Sequence, residues 1–231
     1  MTDLSNVPPI SEKDVAFLRS VDSPTISNAI EPFKVRDRTE GFIGGEVRSL
    51  FPEMPPMVGA ALTVAMTNSP GAVAERENYW RMYEALSQMP TPSVLVVQDV
   101  SGAPSRCALA GEVMTTMAMR LGAVGMVTDG GLRDVHEVRQ LGFAYFARYI
   151  VVSHGNFGVV DVGEPVTLDG QEVKTGDILH GDANGIVIVP REVLDGLPEA
   201  VQEVRNRERA TMDFVNGPEY SIAAARKRAG Y

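Results

Sequence analysis

Residues 111–143 read GEVMTTMAMRLGAVGMVTDGGLRDVHEVRQLGF, and this stretch decides the fold class. The apolar spacing of GEVMTTMAMRLG predicts a helix over 111–122, entered from a glycine and left at another. AVGMVTDGG (123–131) follows as a nearly continuous apolar run, the pattern of a strand buried on both faces. Asp134 then opens DVHEVRQLG, a second helix closed by Gly142. Helix, buried strand and helix in close succession are the unit of an α/β sheet.

The same texture extends outward. AYFARYIVV (144–152) reads as a strand. Upstream lie AALTVAMTN (60–68) and SVLVVQDV (93–100), both strand-like, separated by a helical stretch from Glu75 to Gln88 with Trp80, Tyr83 and Leu86 on one face. SEKDVAFLRSVD (11–22) reads as a short amphipathic helix. Ser23, as N-cap, with Pro24 at the first helical position, opens TISNAIEPF. Residues 36–58 carry no sustained period and read as loop with short extended pieces. From 155 onward the chain turns to punctuated β-structure, with a hairpin signal at Asp169-Gly170 and a strand GIVIVP stopped by Pro190. Residues 191–215 read as one charged final helix. The expectation is a single α/β domain over 1–231 with a mixed central sheet. Residues 1–20 form its N-terminal extension and residues 191–231 its C-terminal helical segment.

Composition narrows the function. Hydrophobic residues are 44% and charged residues 22% of 231, enough for a core and unlike a disordered chain. Thirty acidic against twenty-one basic side chains leave a net charge of −9, which disfavours a generic nucleic-acid binder. It does not forbid an anionic substrate, since one placed arginine sets a local field. The lone Cys107 rules out an internal disulfide and multi-cysteine metal sites, and without a base partner it reads as an inert thiol. No run reaches 18 apolar residues and MTDLSNVPPISEKD lacks a signal-peptide pattern, so no membrane partner and a cytoplasmic location are expected. Lys13, Lys34, Lys174 and Lys227 lie in polar stretches, which speaks against imine catalysis by a buried lysine.

Two features of 111–134 bear on chemistry. Gly111, Glu112, Val113 and Met114 stand at a predicted helix start, where backbone N–H groups lack partners and the dipole favours an anion. Arg133 and Asp134 stand at the carboxyl end of a buried strand, the edge where open α/β sheets bind ligands. They offer a carboxylate clamp and a hard oxygen for Mg²⁺ or Mn²⁺. Plainer readings stand beside these. Asp134 with Glu137 resembles a capping box, Gly130-Gly131 suits a turn needing positive φ, Glu112 suits the helix dipole, and Arg133 and Asp134 suit an internal ion pair. His136, His154 and His180 have no metal-ligand spacing; His136 reads as an exposed helix residue or, two residues from Asp134, as a border of the site, and His154 lies on a glycine-rich loop that could face a substrate or a subunit interface. Met114, Met117 and Met119 read as core filling, and Asp182 and Asn184 as turn chemistry.

The stretch quoted first, together with SVDSPTISNAIEPF, GAALTVAMTN, SVLVVQDVSG and GEPVTLDGQEVKTGDILHGDANGIVIVP in that order, resembles the RraA-like family. That family includes the 4-hydroxy-4-methyl-2-oxoglutarate/4-carboxy-4-hydroxy-2-oxoadipate aldolases and the regulator of ribonuclease E activity A. Its acid–spacer–Arg–Asp signature is met by Glu112, residues 113–132 and Arg133-Asp134. The resemblance implies a single-domain swivelling β/β/α fold. It also implies a divalent-metal lyase that cleaves a 4-hydroxy-2-oxo acid to pyruvate and decarboxylates oxaloacetate. By the same resemblance Asp134 binds Mg²⁺ or Mn²⁺, Arg133 holds the pyruvyl unit, the amides of Gly111 to Met114 receive its carboxylate, and Glu112 orders a water. Glu112 replaces the usual Asp and is one methylene longer. The implied assembly is a homotrimer or dimer of trimers, with an acid such as Glu203 or Glu208 completing a neighbouring site. Contacts beyond the pyruvyl unit are expected from loops such as 48–58. The alternatives are a non-catalytic inhibitor of a ribonuclease, docking through its acidic surface, and a lyase for another hydroxy acid or tricarboxylate.

Overall fold

The computed structural model describes residues 4–68 and 76–230. In chain order the regular elements are α1 (Glu12–Arg19), α2 (Ser23–Ile30), β1 (Phe42–Ile43), β2 (Arg48–Ser49), β3 (Met57–Thr67), α3 (Arg76–Gln88), β4 (Ser93–Asp99), β5 (Ala108–Ala110), α4 (Glu112–Arg120) and β6 (Ala123–Leu132). They continue with α5 (Val135–Leu141), β7 (Ala144–Ile150), β8 (Gly158–Val162), β9 (Val166–Leu168), β10 (Gln171–Val173), β11 (Ile178–Asp182), β12 (Gly185–Val189), α6 (Leu197–Asn216) and α7 (Ile222–Arg228).

The centre is a mixed sheet in the order β1-β12-β11-β3-β4-β6-β7-β2, with β5 added beside β6 and β8 beside β3. Strands β3, β4, β6 and β7 are parallel, and β11, β12, β1 and β2 pair antiparallel around them. The parallel strands are mostly apolar because both faces are covered. Leu62, Val64, Leu95, Val97 and Met126 enter the larger core. Their neighbours Ala61, Val94, Val96 and Val127 enter a second core with Val166, Leu168 and Val173 of the β9–β10 hairpin. Each such fully buried Val or Leu contributes about 1.5–3 kcal/mol relative to an exposed one.

Three expectations need correction. Asp22, not Ser23, caps α2: its carboxylate accepts the Thr25 N–H at 2.9 Å, and Pro24 falls within the first turn. Ser23 is turned inward, its Oγ 3.0 Å from Nδ1 of His180. The His180 Nε2–H faces the carbonyls of Leu18 and Val21 at 3.0 and 2.9 Å, which joins the α1–α2 corner to β11. The helix expected over 191–215 is broken: Arg191–Val193 form a single 3-10 turn, and α6 restarts at Leu197-Pro198 after Gly196. On α3, Tyr83 and Leu86 are buried as expected but Trp80 is exposed, so the buried stripe runs through Met82 instead. The start of that reading, Glu75, lies outside the described residues.

Candidate active site

β6 delivers the site. It runs to Leu132, past Gly130 and Gly131, which lie within the strand without positive φ, so the turn reading of these glycines is overturned. They are glycines because the strand is crowded there. A side chain at 131 would lie 2.6 Å from the carbonyl of Cys107 and from Val151 Cγ2, and one at 130 would lie 2.7 Å from Leu109 Cδ1. β5 therefore packs directly against the end of β6 and carries the chain into Gly111 and α4.

Arg133 and Asp134 follow at the strand end. Asp134 has left-handed backbone (φ 54°, ψ 41°) and makes no side-chain cap on α5, so the capping-box reading fails. Its carboxylate reaches back 22 residues, where Oδ2 accepts the N–H of Glu112 at 2.9 Å. Asp134 is thus the external cap of α4, whose own N-cap, Gly111, has no side chain to offer. Arg133 Nε stands 3.6 Å from the same Oδ2, and each side chain is about one-third exposed. A side chain at Gly111 would overlap that oxygen and come within 2.9 Å of Arg133 Nε. Among the described residues, the N–H groups of Val113 and Met114 have no acceptor, as expected for a first helical turn.

Arg133, Gly111, Val113 and Met114 line a single cavity of about 230 Å³. Its remaining walls come from Ala108, Leu109 and Ala110 of β5, from Tyr79 of α3, and from His154 and Phe157 before β8. Glu112 and Asp134 are not in its walls, although Asp134 touches two residues that are. Residues 48–58 contribute none of this lining. Instead Phe51 stacks on Tyr145 and Glu53 pairs with Arg139. Tyr79, Leu109 and Phe157 carried no local signal in the sequence, since they come from three separate segments and meet only through the sheet.

Support beneath the cavity is polar but neutral. Tyr145 bonds Thr115 at 2.6 Å; burial pushes its hydroxyl up to about 12, the Thr115 bond pulls it back, and the Asp134 charge adds to the rise. Burial likewise raises Tyr83, whose hydroxyl lies 3.4 Å from that of Tyr79. Cys107 is buried with its thiol pushed up to about 11, chiefly by burial, and donates to the His154 carbonyl at 2.8 Å, in keeping with an inert thiol. His136 is exposed against Gln140, and Glu203 and Glu208 are exposed on α6. Asp182 bonds the Ser23 and Asn184 amides, a structural role.

Among the described residues no three His, Cys, Asp or Glu side chains converge on a common point. The donor set that is present suits a heavily hydrated ion. Asp134 Oδ2 is engaged, while Oδ1 has no donor among the described residues and its side chain is partly open. Mg²⁺ commonly accepts one or two carboxylates and fills its shell with water and substrate oxygens.

The family model described as Aldolase/RraA (RraA-like) matches residues 23–188. The chain belongs to this family. It is 30% identical over 168 residues to a Halalkalibacterium halodurans protein named "Putative 4-hydroxy-4-methyl-2-oxoglutarate aldolase", covering 71% of this chain and 75% of that protein. A crystal structure from Pseudomonas syringae pv. tomato superposes with a TM-score of 0.73 at 22% identity, covering 98% of this chain and 97% of that one. Streptomyces coelicolor RraAS2, described as an unusual member of the RNase ES inhibitor RraA family, gives 0.66 at 22% identity over 89% of this chain and 96% of its own. These two likenesses concern the fold. Among the described residues, no helix is long and apolar enough to cross a membrane.

Proposed function

We propose that this family member is a divalent-metal-dependent carbon–carbon lyase that cleaves a 4-hydroxy-2-oxo acid to release pyruvate and also decarboxylates oxaloacetate. One observation carries the reading: Arg133 and the first turn of α4 line the same cavity. The Val113 and Met114 amides, with the helix dipole behind them, receive the substrate carboxylate. Arg133 holds the 2-oxo group and stabilises the negative charge that grows there as the C3–C4 bond breaks. A bound Mg²⁺ or Mn²⁺, held by Asp134, would supply further positive charge to that oxygen. Glu112, exposed at the start of α4, orders a water that removes the C4-hydroxyl proton and returns one to C3. None of the four lysines is buried, which leaves imine catalysis without its nucleophile.

Purified protein with Mg²⁺ or Mn²⁺ should release pyruvate from 4-hydroxy-4-methyl-2-oxoglutarate or from oxaloacetate, and EDTA should abolish the release. No pyruvate from either compound, with or without metal, ends this reading. A ribonuclease inhibitor acting through surface charge would have no use for an arginine facing a cavity beside free amides. Its signature would be inhibition indifferent to EDTA and to Asp134→Asn. The assembly we propose is a homotrimer or dimer of trimers, supported by the exposed apolar side chains of Val113, Ile150 and Val152. Light scattering giving a monomer mass would remove it.

A further inference from the structure

The two reactions of the proposed lyase differ by one proton. Cleavage of 4-hydroxy-4-methyl-2-oxoglutarate breaks C3–C4, removes the C4-hydroxyl proton and returns a proton to C3, so none is drawn from solvent. Decarboxylation of oxaloacetate also breaks C3–C4, but the C4 carboxylate leaves as CO₂ and has no proton to give. The enolate still takes one at C3, and the site must supply it. A water beside Glu112 that has just collected a hydroxyl proton serves the first reaction. In the second it has collected none.

His154 is placed to supply that proton. It lines the cavity together with Arg133, Gly111 and Met114. Its loop is tied to β5: the Ala108 N–H donates to the Ser153 carbonyl at 2.7 Å and the Cys107 thiol to the His154 carbonyl at 2.8 Å. Gly155, with left-handed backbone at φ 49°, lets the loop turn closely over Cys107; a side chain there would lie 3.3 Å from Sγ. The imidazole meets Phe157 edge to face, with ring centroids 6.3 Å apart. Nδ1 stands 2.8 Å from the Gly155 carbonyl, which can only accept, so Nδ1 carries a hydrogen whether the ring is neutral or charged. Nε2 is therefore the nitrogen where a proton comes and goes. The residue is exposed, so solvent can reload it between turnovers. Arg133 is unsuited to the task, because a guanidinium keeps its protons.

We propose, resting on the lyase reading, that His154 is the catalytic acid of the decarboxylation branch. As C3–C4 breaks, CO₂ departs and the bonding electron pair passes into the pyruvate enolate. The enolate takes its C3 proton from Nε2 of the His154 imidazolium, and the neutral ring then recovers a proton from water. One oxaloacetate dianion and one proton thus give one pyruvate and one CO₂.

Both reactions are measured on the same protein with Mg²⁺, subtracting the decarboxylation that Mg²⁺ alone causes. In His154→Gln the ratio of decarboxylation to cleavage in kcat should fall about 10²-fold, whatever the altered wall does to cleavage itself. In His154→Ala, added imidazole should restore decarboxylation several-fold and raise cleavage no further. A ratio that does not move, because both reactions fall together or neither changes, overturns the proposal: His154 is then a wall residue and the acid lies elsewhere, a neighbouring subunit included. Wild-type protein that cleaves the hydroxy acid but leaves oxaloacetate intact overturns it too, while the cleavage stands. Inactivity toward both compounds ends the lyase reading and the proposal together.

Discussion

Two arginine–aspartate pairs lie one strand apart in this molecule, and they are held very differently. Arg148 on β7 forks between Asp169 of the β9–β10 turn and Glu46, the latter at 2.9 Å, and the Asp169 side chain is only 13% exposed. Burial draws Arg148 down, but the hydrogen bond and charge of Asp169, with Glu46 and Asp129 behind it, more than offset this and its net shift is upward. Asp169 also accepts the Glu46 N–H at 2.9 Å. Arg133 and Asp134 make one long contact of 3.6 Å at the edge of a cavity. The first pair joins the hairpin to the sheet through Nη2 of Arg148, whose Nε stays buried without a partner among the described residues. The second keeps hydrogen-bonding capacity for something else. A charge pair becomes available for chemistry by being left incomplete.

Arg133→Ala should separate the two pairs most sharply. Pyruvate release should fall about 10²–10³-fold in kcat/KM, the scale of removing one donor to a developing oxyanion, while the thermal midpoint barely moves. Arg148→Ala should do the reverse. The loss of a partly buried partner for Asp169 should cost about 2–3 kcal/mol in urea denaturation, below the full cost of breaking a buried pair, with activity per folded molecule retained. A loss of activity in Arg148→Ala at full stability would erase the distinction.

Asp134 sharpens it further. Asp134→Asn keeps a residue that tolerates left-handed backbone and an oxygen for the Glu112 N–H, whereas Asp134→Ala loses both. Both should be inactive in the metal-dependent assay, yet the alanine variant should be less stable than the asparagine one by about 1–2 kcal/mol. The smallest effect belongs to Asp129, beside Arg148. Burial raises its carboxyl above 3.8, partly countered by the Asp99 N–H and by Arg148. A raised folded-state value means stability is greatest below 3.8 and is lost as pH climbs through the folded value. Asp129→Asn should therefore flatten the stability profile above pH 4 and change stability at pH 7 by less than about 1 kcal/mol.

The fold was readable where one period dominated. β4, α4, β6 and α5 end within about two residues of their sequence signals, because continuous apolar runs and terminal glycines leave few alternatives. Misreadings occurred where two residues competed for one role. Asp22 and Ser23 are both good caps, and only the buried His180 shows why Ser23 turns away. Asp134 has the spacing of a cap for α5, but its backbone φ sends the carboxylate to α4 instead. The cavity was half legible. Gly111, Val113, Met114 and Arg133 could be named from one stretch, whereas Tyr79, Leu109 and Phe157 depend on how α3, β5 and the approach to β8 meet.

The bond from the Glu112 amide to Asp134 joins the starts of two helices through a single side chain. A ligand that recruits Oδ1 draws electron density from the same carboxylate and so weakens the bond that Oδ2 accepts from the backbone. Occupancy would then be written into the solvent exchange of one amide, giving a reporter of binding that needs neither turnover nor a label.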